Sequence, residues 1–445
     1  MSRVNLCEGT WIMPPEMRKR ELPFVAAWLA LGALVIKNYN GCSDTVAISI
    51  NSDKENIVLS SQDFDIALEI SKSITQDLGS RRMVSGADVM LLCRRASREM
   101  EKRESPIGKK SVVMLKDKSG SGFWRMVFPA KHIDDDGIFI DITAVGMSYE
   151  ALKEYDTIMV QRLCDWESFY MLERLKKAGK RIVYDLDDNL FNLDRSNPSA
   201  GLIGRDEQIA AVNCMKLADA VTVSTPSLAE VIKTVTNGLQ ATIIPNAVDM
   251  SDGWIPTPFT GSPDGIKRIF WQGGNSHAVD WTECIDAVDA ILGERKDVHL
   301  VILGFLPPTV HVMLQKGSWK GKIEFLEFSS AETYFEMMKH IRAEVGIAPL
   351  KDTPFNESKS CLKFLEYSAT GMPTVASNVR PYAEVIEHGK NGFLVKDSQE
   401  WFDAITKCLD DKRLRFSVTE AARTKVRAEF DIKTIAKDWK KILIP

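Results

Sequence analysis

Residues 355–377, FNESKSCLKFLEYSATGMPTVAS, change their backbone pattern twice within one short stretch. The polar residues from Asn356 to Ser360 predict a turn, and the apolar spacing that follows predicts an amphipathic helix. Gly371 and Pro373 end that helix, because glycine is favoured just past a helix and proline cannot continue one. The apolar run TVAS then predicts a buried strand. A helix that leads straight into a buried strand is typical of α/β sheets.

The same alternation of short apolar runs and helices extends along the chain from Ser111 onward. Such runs predict parallel strands that are covered by helices on both faces. A first series of strands is predicted at 111–116, 137–142, 156–161, 181–186, 220–225 and 241–246, and a second at 268–274, 299–304, 323–328, 345–350, 374–377 and 392–396. Helices are predicted at 171–180, in a segment ending near Leu217, at 227–235, 281–292, 331–341 and after 361, with two closing helices from about Ser398 and Ile432.

A segment rich in Pro, Gly and Thr, GWIPTPFTGSPDG at 253–265, separates the two series and predicts an interdomain linker. We therefore predict an α/β architecture of two doubly wound Rossmann-like domains that face each other across a cleft. The predicted domains are 110–255 and 256–431, and a helix within 432–445 is expected to pack back on the first of them.

Residues 1–109 lack this alternation and are predicted to be an α+β extension of unassigned role. VAISI and NIVLS predict a small hairpin, and helices are predicted at 63–77 and 87–102. The apolar run Leu22–Ile36 follows three basic residues but is shorter than the ~20 residues that span a bilayer. We predict a buried or oligomer-forming helix there, with a membrane-surface contact as the alternative.

The composition of the 445-residue chain is ordinary for a soluble globular protein, with 44% hydrophobic and 27% charged residues. The net charge of -4 gives no overall attraction to nucleic acid or to an anionic membrane. The eight cysteines are scattered and form no CxxC pair, which predicts reduced thiols, a cytoplasmic protein and no zinc site.

Candidate site residues follow the predicted strands, because ligands in open α/β sheets bind outside the carboxyl ends of the strands. The loop KDKSGSGFWR after the first strand contains Gly122, where the backbone can approach a ligand closely, and Arg125, which suits a phosphate or an acceptor anion. Arg162 comes directly after the strand at 156–161 and is predicted for the same role. A plain flexible turn is the alternative for the glycine loop.

The loop YDLDDNLF places Asp185, Asp187 and Asp188 within four residues at the end of a strand. Mutual repulsion should raise the pKa of at least one of these carboxyls, as a group that accepts a proton or orients a hydroxyl requires. Binding of Mg²⁺ and capping of a helix are the alternatives.

The loop WQGGNSHAVDW places Gly273 and Gly274 between a predicted strand and a predicted helix. Backbone N–H groups at such a junction can hold a phosphate, and His277 could donate to the same anion. A structural histidine is the alternative for His277.

The polar turn at 356–360 is the fourth candidate. Lys359 and Lys363 are four residues apart, which predicts one helical face directed at a diphosphate. Glu366 is predicted to accept two hydroxyls of a ribose. A surface Lys–Glu pair, worth a few tenths of a kcal/mol, is the alternative.

These segments occur in the order found in GT-B glycosyltransferases. From about Lys110 to Ile432 the chain resembles the retaining family 4 type. Four segments resemble its acceptor domain: SGSGFWRMVFPA, VQRLCDWESFYMLERLKKAGKRIVYDLDDNLF, ADAVTVSTPSLAEVI and TIIPNAVD. IFWQGGNSHAVDW and the opening stretch resemble its donor domain.

The resemblance implies a glycosyltransferase that moves a sugar from a nucleotide-sugar donor, in the first place a UDP-sugar, with retention at the anomeric carbon. It implies no bound cofactor and no obligatory metal, because positive groups stabilise the leaving diphosphate. The implied catalytic residues are Asp187, Asp188 and His277. The implied donor-binding residues are Gly273, Gly274, Glu357, Ser358, Lys359, Ser360, Lys363 and Glu366.

The chain departs from the family pattern at three places. Ser358 stands where the family carries the first of two glutamates, with Glu357 beside it. Gly274 and His277 lie near the places of a usual Arg and Lys, so Lys359, Lys363 and His277 are expected to contact the phosphates instead. The aspartate pair lies where many members carry a histidine that orients the acceptor.

Several functions remain open from the sequence. A nucleotide-sugar 2-epimerase shares the fold, and a non-catalytic nucleotide-sugar-binding scaffold would explain the altered donor motif. The acceptor of a transferase is open among a glycan such as a cell-wall polymer, a lipid-linked sugar, a protein and a hydroxymethylated DNA base. DNA would require a basic groove, for which only the run from Arg94 to Lys110 offers charge.

Overall fold

The computed structural model describes residues 10–12, 34–38, 45–50, 56–60, 110–116, 120–133, 138–144, 148–193, 201, 203–251, 264–277, 279–327, 334, 337–338 and 340–445. The chain divides into two compact units, one of Met1–Val113, Asp135–Asp141 and Gly146–Asp156, and one of Met114–Asp134, Ile142–Val145 and Thr157–Pro445. The helices predicted at 63–77 and 87–102, most of the one predicted at 331–341 and most of the linker predicted at 253–265 lie outside the described residues.

A four-stranded sheet lies in the first unit. Its strands are β1 (Thr10–Ile12), β2 (Leu34–Asn38), β3 (Thr45–Ile50) and β4 (Asn56–Ser60), in the order β1-β4-β3-β2. Strands β3 and β4 are antiparallel, which confirms the predicted hairpin.

The prediction of a helix over Leu22–Ile36 is wrong at its end, because Leu34–Asn38 is a strand that pairs antiparallel with β3. The β-branched residues Val35 and Ile36 favour a strand at this point. Residues 22–33 lie outside the described residues.

A six-stranded sheet follows in the order β10-β9-β8-β7-β5-β6. Its strands are β5 (Lys110–Lys116), β6 (Ile138–Ala144), β7 (Thr157–Gln161), β8 (Arg181–Leu186), β9 (Ala220–Val223) and β10 (Thr242–Ile243), and the pairs from β7 to β10 are parallel. The helices of this region are α1 (Gly120–Gly122), α2 (Phe128–Ala130), α3 (Tyr149–Leu152), α4 (Trp166–Lys177), α5 (Arg205–Leu217) and α6 (Pro226–Val235). A π-helical segment, Phe123–Val127, joins α1 to α2.

A second six-stranded sheet has the order β13-β12-β11-β14-β15-β16, and all its neighbouring strands are parallel. Its strands are β11 (Lys267–Gly273), β12 (Val298–Gly304), β13 (Ile323–Leu326), β14 (Val345–Ala348), β15 (Thr374–Ser377) and β16 (Phe393–Val395). The helices of this region are α7 (Ile285–Glu294), α8 (Pro308–Met313), α9 (Leu362–Thr370), α10 (Arg380–Ala383), α11 (Ser398–Asp410), α12 (Lys412–Glu429) and α13 (Ile432–Leu443).

The strand orders identify where each sheet binds ligands. The second six-stranded sheet has the order 3-2-1-4-5-6, in which the strand order reverses between the parallel neighbours β11 and β14. The first six-stranded sheet has the flavodoxin-like order, which reverses between β5 and β7. A crevice opens at such a point because the connections leave the two strands on opposite sides of the sheet. The predicted doubly wound α/β fold is confirmed.

The core of the second sheet is built around tryptophan side chains. Trp271, Trp281, Trp319 and Trp401 are almost fully buried within one hydrophobic cluster. Strands β14 and β15 are buried at every residue, as strands covered on both faces require. This packing fixes the ends of β11 and β14, from which the site loops start.

Three helices close the chain where the sequence predicts two. Helix α12 was missed because its buried face is poor in large apolar residues and consists of Val418, Thr419, Ala422, Arg423 and Val426. The carboxyl end of helix α13 contacts the first six-stranded sheet. Thr157 Oγ1 donates to the Leu443 carbonyl at 3.0 Å, and the Arg181 guanidinium donates to the Ile442 carbonyl at 3.0 Å.

Candidate active site

The loops that leave β5, β7 and β8 meet the loops that leave β11 and β14. These five loops all belong to the compact unit of Met114–Asp134, Ile142–Val145 and Thr157–Pro445. Four of the five loops come from the strands that flank the two points of reversed strand order, and the fifth leaves β8, next to β7. The fold therefore assembles the candidate site from residues that are far apart in the sequence.

Arg125 and Asp185 form a fully buried ion pair beneath the aspartate loop. Nε and Nη2 of Arg125 donate to the two carboxylate oxygens at 3.1 and 2.7 Å, and Thr222 Oγ1 donates to the same carboxylate at 2.7 Å. The remaining nitrogen, Nη1, donates to the Ile244 carbonyl at 2.6 Å and to Asn246 Oδ1 at 3.1 Å.

This network differs from the predicted role of Arg125 as a contact for a phosphate or acceptor anion. Every guanidinium nitrogen is bound within the protein, and the side chain is completely buried. Asp185 likewise faces Arg125, so it does not join Asp187 and Asp188 as a third ligand of a magnesium ion. The pair instead fixes the backbone from which those two aspartates project.

Asp187 and Asp188 lie in very different electrostatic surroundings. Burial, and next the charge of Asp188, raises the pKa of Asp187 to about 7. Burial alone would raise the pKa of Asp188 as well, but the cations Lys359 and Arg162 outweigh it and hold that pKa below its ordinary value. Near neutral pH Asp188 is therefore ionised while Asp187 exchanges a proton. The sequence predicts that repulsion raises the pKa of at least one of these carboxyls; the pKa of Asp187 is raised, with burial as the larger cause and repulsion by Asp188 as the next.

Arg162 holds the aspartate pair from the end of β7. Its Nη1 donates to Asp188 Oδ2 at 3.1 Å and lies 3.8 Å from Asp187 Oδ1. The same nitrogen is 3.4 Å from Ser121 Oγ, which follows β5. Its backbone has φ 54, a left-handed conformation that non-glycine residues rarely adopt and that clusters at functional sites.

Lys359 links the aspartate pair to the second six-stranded sheet. Its Nζ lies 3.7 Å from Asp188 Oδ1, and it stacks over the Phe355 ring at 4.7 Å from the centroid. The contact joins the loop after β8 to the turn after β14. It brings a carboxylate of one Rossmann-like domain and an ammonium group of the other to the same place.

Asp280, His277 and Lys363 form a hydrogen-bonded chain beside this contact. His277 Nδ1 lies 2.7 Å from Asp280 Oδ2, and Lys363 Nζ lies 3.1 Å from His277 Nε2. Burial, and next the charge of Lys363, lowers the pKa of His277 to about 4, so its imidazole is neutral. Nδ1 then donates to Asp280, and Nε2 accepts from Lys363.

Lys363 is nearly buried and its charge is costly. Burial, and next the nearby charge of Lys359, lowers the pKa of Lys363 to about 8. Two lysines and a neutral histidine that face one another favour binding of an anion, because an anion would offset both the burial and the repulsion.

The two lysines do not share a helical face as predicted. Helix α9 begins at Leu362, and Lys359 precedes it in extended backbone with φ -68 and ψ 157. The side chains come close because the turn Asn356–Ser358 is a 3₁₀ helix that changes the chain direction before α9.

Gly273 and Gly274, at the end of β11, do not lead directly into an α-helix as predicted. Two 3₁₀ turns, Asn275–His277 and Asp280–Glu283, follow β11, and α7 begins only at Ile285. A Cβ on Gly273 would lie 2.6 Å from the Trp271 ring, whereas Gly274 has open space around it. Gly273 thus permits packing of the strand, and Gly274 leaves room next to His277.

Glu366 is buried, and both its oxygens are bound. Gln272 Nε2 donates to Oε2 at 2.5 Å, and the Tyr334 hydroxyl donates to Oε1 at 2.7 Å. Burial raises the pKa of Glu366 to about 7, against the opposing effects of Tyr334 and Lys363. A ribose that binds Glu366 in the predicted way would replace one of these two donors.

Ser358 is buried where the family pattern has a glutamate. Asn189 Nδ2 donates to its hydroxyl at 3.2 Å, and Thr225 Oγ1 donates to its carbonyl at 2.9 Å. Glu357 beside it is exposed. Ser360, two residues on, accepts from Asn246 Nδ2 at 3.0 Å. The turn therefore docks on the loops after β8, β9 and β10.

Gly122 ends α1 and is buried, in a run of helical backbone that continues to Ala130. Its neighbour Ser121, which the sequence analysis did not single out, is the residue that reaches the site, through Arg162 and through a hydrogen bond to Asp187.

Known proteins resemble this chain in both sequence and structure. Residues 267–411 match the family model described as Glycosyl transferases group 1. HepE from Anabaena in complex with UDP-glucose superposes with TM-score 0.58 at 16% identity, over 76% of this chain and 99% of that one. Sucrose-phosphate synthase from Thermosynechococcus elongatus superposes with TM-score 0.57 at 13% identity, over 75% of this chain and 98% of that one.

A glycosyltransferase from Rickettsia africae superposes with TM-score 0.54 at 13% identity, over 76% of this chain and 99% of that one. The chain has the GT-B fold. The resemblance predicted from its sequence, to GT-B glycosyltransferases of the group 1 type, is confirmed. No curated protein sequence matches the chain.

Besides Ser121, two residues of this GT-B site escaped the sequence analysis. Asn189 is buried and binds the turn at both Ser358 and the Pro354 carbonyl. Asp280 orients His277 and also accepts from Lys351 N and Asn356 Nδ2, so it holds the glycine loop to the turn. Asp280 follows His277 by three residues, a spacing that could have indicated the pair. No local pattern marks Asn189.

Within the part of the chain that the structure describes, no helix has the length and apolar character needed to cross a membrane.

Proposed function

We propose that the protein is a glycosyltransferase that transfers a sugar, with retention, from a nucleotide-sugar donor to a hydroxyl acceptor. One observation carries the proposal. Asp188 of the first Rossmann-like domain and Lys359 of the second lie 3.7 Å apart, next to the Lys363–His277–Asp280 chain. Acceptor-side carboxyls and donor-side cations thus occupy one place, as group transfer between two bound molecules requires.

The donor's diphosphate would bind at Lys363, Lys359 and His277. The two ammonium groups would stabilise the negative charge that develops on the leaving diphosphate, a role that a metal ion plays in other enzymes. Gly274 leaves the backbone accessible beside them. Glu366 would accept the ribose hydroxyls after displacement of Gln272 or Tyr334. HepE is described in complex with UDP-glucose, which makes a UDP-sugar the first donor to test.

The acceptor hydroxyl would bind at Asp187. This carboxyl is buried, and its Oδ1 accepts no hydrogen bond from the residues that the structure describes. Because its pKa is raised to about 7, Asp187 can accept a proton from the attacking hydroxyl near neutral pH. Ionised Asp188 would keep Arg162 and Lys359 in position.

The test is release or transfer of sugar from UDP-glucose and related donors by the purified full-length chain. Product analysis by NMR reports the anomeric configuration. Activity that requires Asp187 and Lys363, and a product of unchanged configuration, is expected. Inversion would contradict the proposed stereochemistry, and activity that persists in Lys363→Met would contradict the site.

A non-catalytic protein that binds nucleotide sugars is the second candidate. It is favoured by Ser358, whose hydroxyl and carbonyl are engaged with Asn189 and Thr225 where the family pattern has a glutamate. Binding of UDP-glucose without turnover of any donor would support this candidate. Binding that stabilises the fold is measured as a rise in Tm with ligand concentration.

A further inference from the structure

Three aromatic side chains form an exposed platform on the first turns of α4. Trp166 is 40% exposed and Tyr170 is 57% exposed, whereas most large apolar side chains of the described residues are buried. Phe169 lies between them and is half-buried. We call Trp166, Phe169 and Tyr170 the aromatic platform.

The rings of the platform hold one another in place. Trp166 contacts Phe169 at a centroid distance of 5.6 Å, edge to face, and Tyr170 at 6.2 Å with planes inclined by 33°. Phe169 contacts Tyr170 at 5.5 Å. Rings fixed in this way offer a preformed surface, so a ligand binds with little loss of side-chain entropy.

The platform lies beside the proposed acceptor side of the site. Helix α4 follows β7, and Arg162, which binds Asp188, precedes Trp166 by four residues. Four residues span at most about 14 Å, so Trp166 starts the platform within that distance of Arg162, whose Nη1 lies 3.8 Å from Asp187 Oδ1. The loop between them, Leu163–Asp165, leaves the same sheet edge as the aspartate loop.

The exposed charges next to Trp166 are acidic, and basic residues lie farther along the chain on either side, at Arg162 and Arg174. Asp165 and Glu167 are exposed beside Trp166, and the charge of Glu207 on α5 acts on Cys164 of the same loop. The acidic pair next to Trp166 disfavours a polyanion such as DNA, whose binding requires Lys and Arg near the phosphates. It does not oppose an uncharged ligand.

We propose that the aromatic platform binds an uncharged sugar ring of the acceptor, next to the ring that carries the reacting hydroxyl. The face of a pyranose presents C–H bonds, which pack on the electron-rich face of an aromatic ring. Trp166 and Tyr170 supply such faces at the surface. The inference rests on the proposed glycosyl transfer and names its acceptor as a saccharide, not a DNA base.

The experiment measures binding of the full-length chain to immobilised neutral oligosaccharides (glucans, mannans and chitin oligomers) and to a short DNA duplex. The variants are Trp166→Ala and Tyr170→Ala. The matched control is Phe416→Ala, which removes a ring that is 60% exposed on α12. All three residues are at the surface, so the variants are expected to fold.

We expect the wild type and Phe416→Ala to bind at least one oligosaccharide. Each platform variant should bind it at least about tenfold more weakly, a loss of the size found when an aromatic ring that stacks on a nucleic-acid base is replaced by alanine. No oligosaccharide binding, or equal binding by the variants, would overturn the inference. Duplex binding that the platform variants lose would overturn it in favour of a nucleic-acid acceptor.

Hydrolysis of UDP-glucose without acceptor separates this inference from the proposed function. The platform variants should hydrolyse the donor as the wild type does, because among the residues that the structure describes no contact joins the platform to a proposed donor-binding residue. If no donor is hydrolysed but oligosaccharide binding still depends on Trp166 and Tyr170, the platform is established and the catalytic proposal fails.

Discussion

Lys363 donates to Nε2 of His277, and the Nδ1 of that histidine binds Asp280, so a buried ammonium group is positioned through a neutral imidazole by a carboxylate. The arrangement keeps Lys363 directed into the site although burial and Lys359 lower its pKa to about 8. The chain thus retains a cation near the proposed donor site without the usual Arg and Lys of the family pattern.

Binding of UDP should therefore depend on pH through Lys363. The ammonium form, present below about pH 8, binds the diphosphate, so affinity should fall as the pH rises from about 7 to about 9. Lys363→Met should weaken binding by about 2 kcal/mol, the order of a charge-assisted hydrogen bond. Calorimetric titration with UDP at several pH values measures both effects.

Two variants serve as controls for this titration. Lys363→Arg keeps its charge and should bind UDP with little dependence on pH in that range. Lys351→Met removes an exposed lysine from the same turn, whose contact with Asp280 is made by the backbone. An equal loss of UDP affinity in Lys351→Met would mean that Lys363 acts only through the overall charge.

Asp187 should destabilise the folded protein at neutral and higher pH. Its pKa is about 7 in the folded state against an ordinary value of 3.8, so the folded state binds the proton more tightly than the unfolded state. Stability due to this group is therefore lost as the pH rises from 3.8 to about 7. Asp187→Asn resembles the protonated form, so its stability should not fall over this pH range.

We expect Asp187→Asn to be more stable than wild type above about pH 7, by roughly 2 to 4 kcal/mol, and similar to it near pH 4. Urea unfolding at both pH values measures this. Asp188→Asn is the matched comparison and should be destabilising, because Asp188 is ionised and paired with Arg162 and Lys359. Asp187→Asn should also lose transfer activity. Retained activity would remove Asp187 from the proposed mechanism.

The sequence predicted the sheets well because buried parallel strands are short, continuous apolar runs. TIMVQ and RIVYDL appear as strands within a residue or two of their predicted limits. Helix α12 was missed for the opposite reason, since its buried stripe includes Thr419 and Arg423. Burial of polar side chains depends on tertiary partners, such as the α9 carbonyl of Ser368 that Arg423 binds at 3.2 Å.

Site positions were easier to predict than side-chain partners. The rule that ligands bind at strand ends selected Asp187, Asp188, His277 and Lys363, which the fold brings together. It could not show that Arg125 is bound by Asp185, because those residues are 60 positions apart. Nor could it show that Asn189 reaches Ser358, at a separation of 169 residues.

Activity should not depend on a divalent metal. In the proposed mechanism Lys359 and Lys363 supply the positive charge for the leaving diphosphate, so removal of metal ions with EDTA should leave the rate unchanged. Donor hydrolysis with EDTA, and then with added Mg²⁺ or Mn²⁺, measures this. A rate that falls with EDTA and returns with Mg²⁺ would contradict the assigned role of the lysines.

Restoring a glutamate at Ser358 should harm this protein. Ser358 is 1% exposed, and the neighbours of its hydroxyl, Asn189 and Ser227, are uncharged. Burial of an unpaired charge costs several kcal/mol, so Ser358→Glu should lower Tm and separate the turn from the loop after β8. Ser358→Ala should cost only about 1 kcal/mol.

Thermal unfolding and donor hydrolysis of the two variants decide between two roles for this position. If Ser358 only docks the turn, Ser358→Glu loses stability and activity together, while Ser358→Ala keeps most of both. If Ser358→Glu instead raises the rate of transfer at unchanged Tm, the carboxylate has found space at the donor sugar. Ser358 would then mark the loss of a catalytic glutamate, and the non-catalytic function would be the better description of the natural chain.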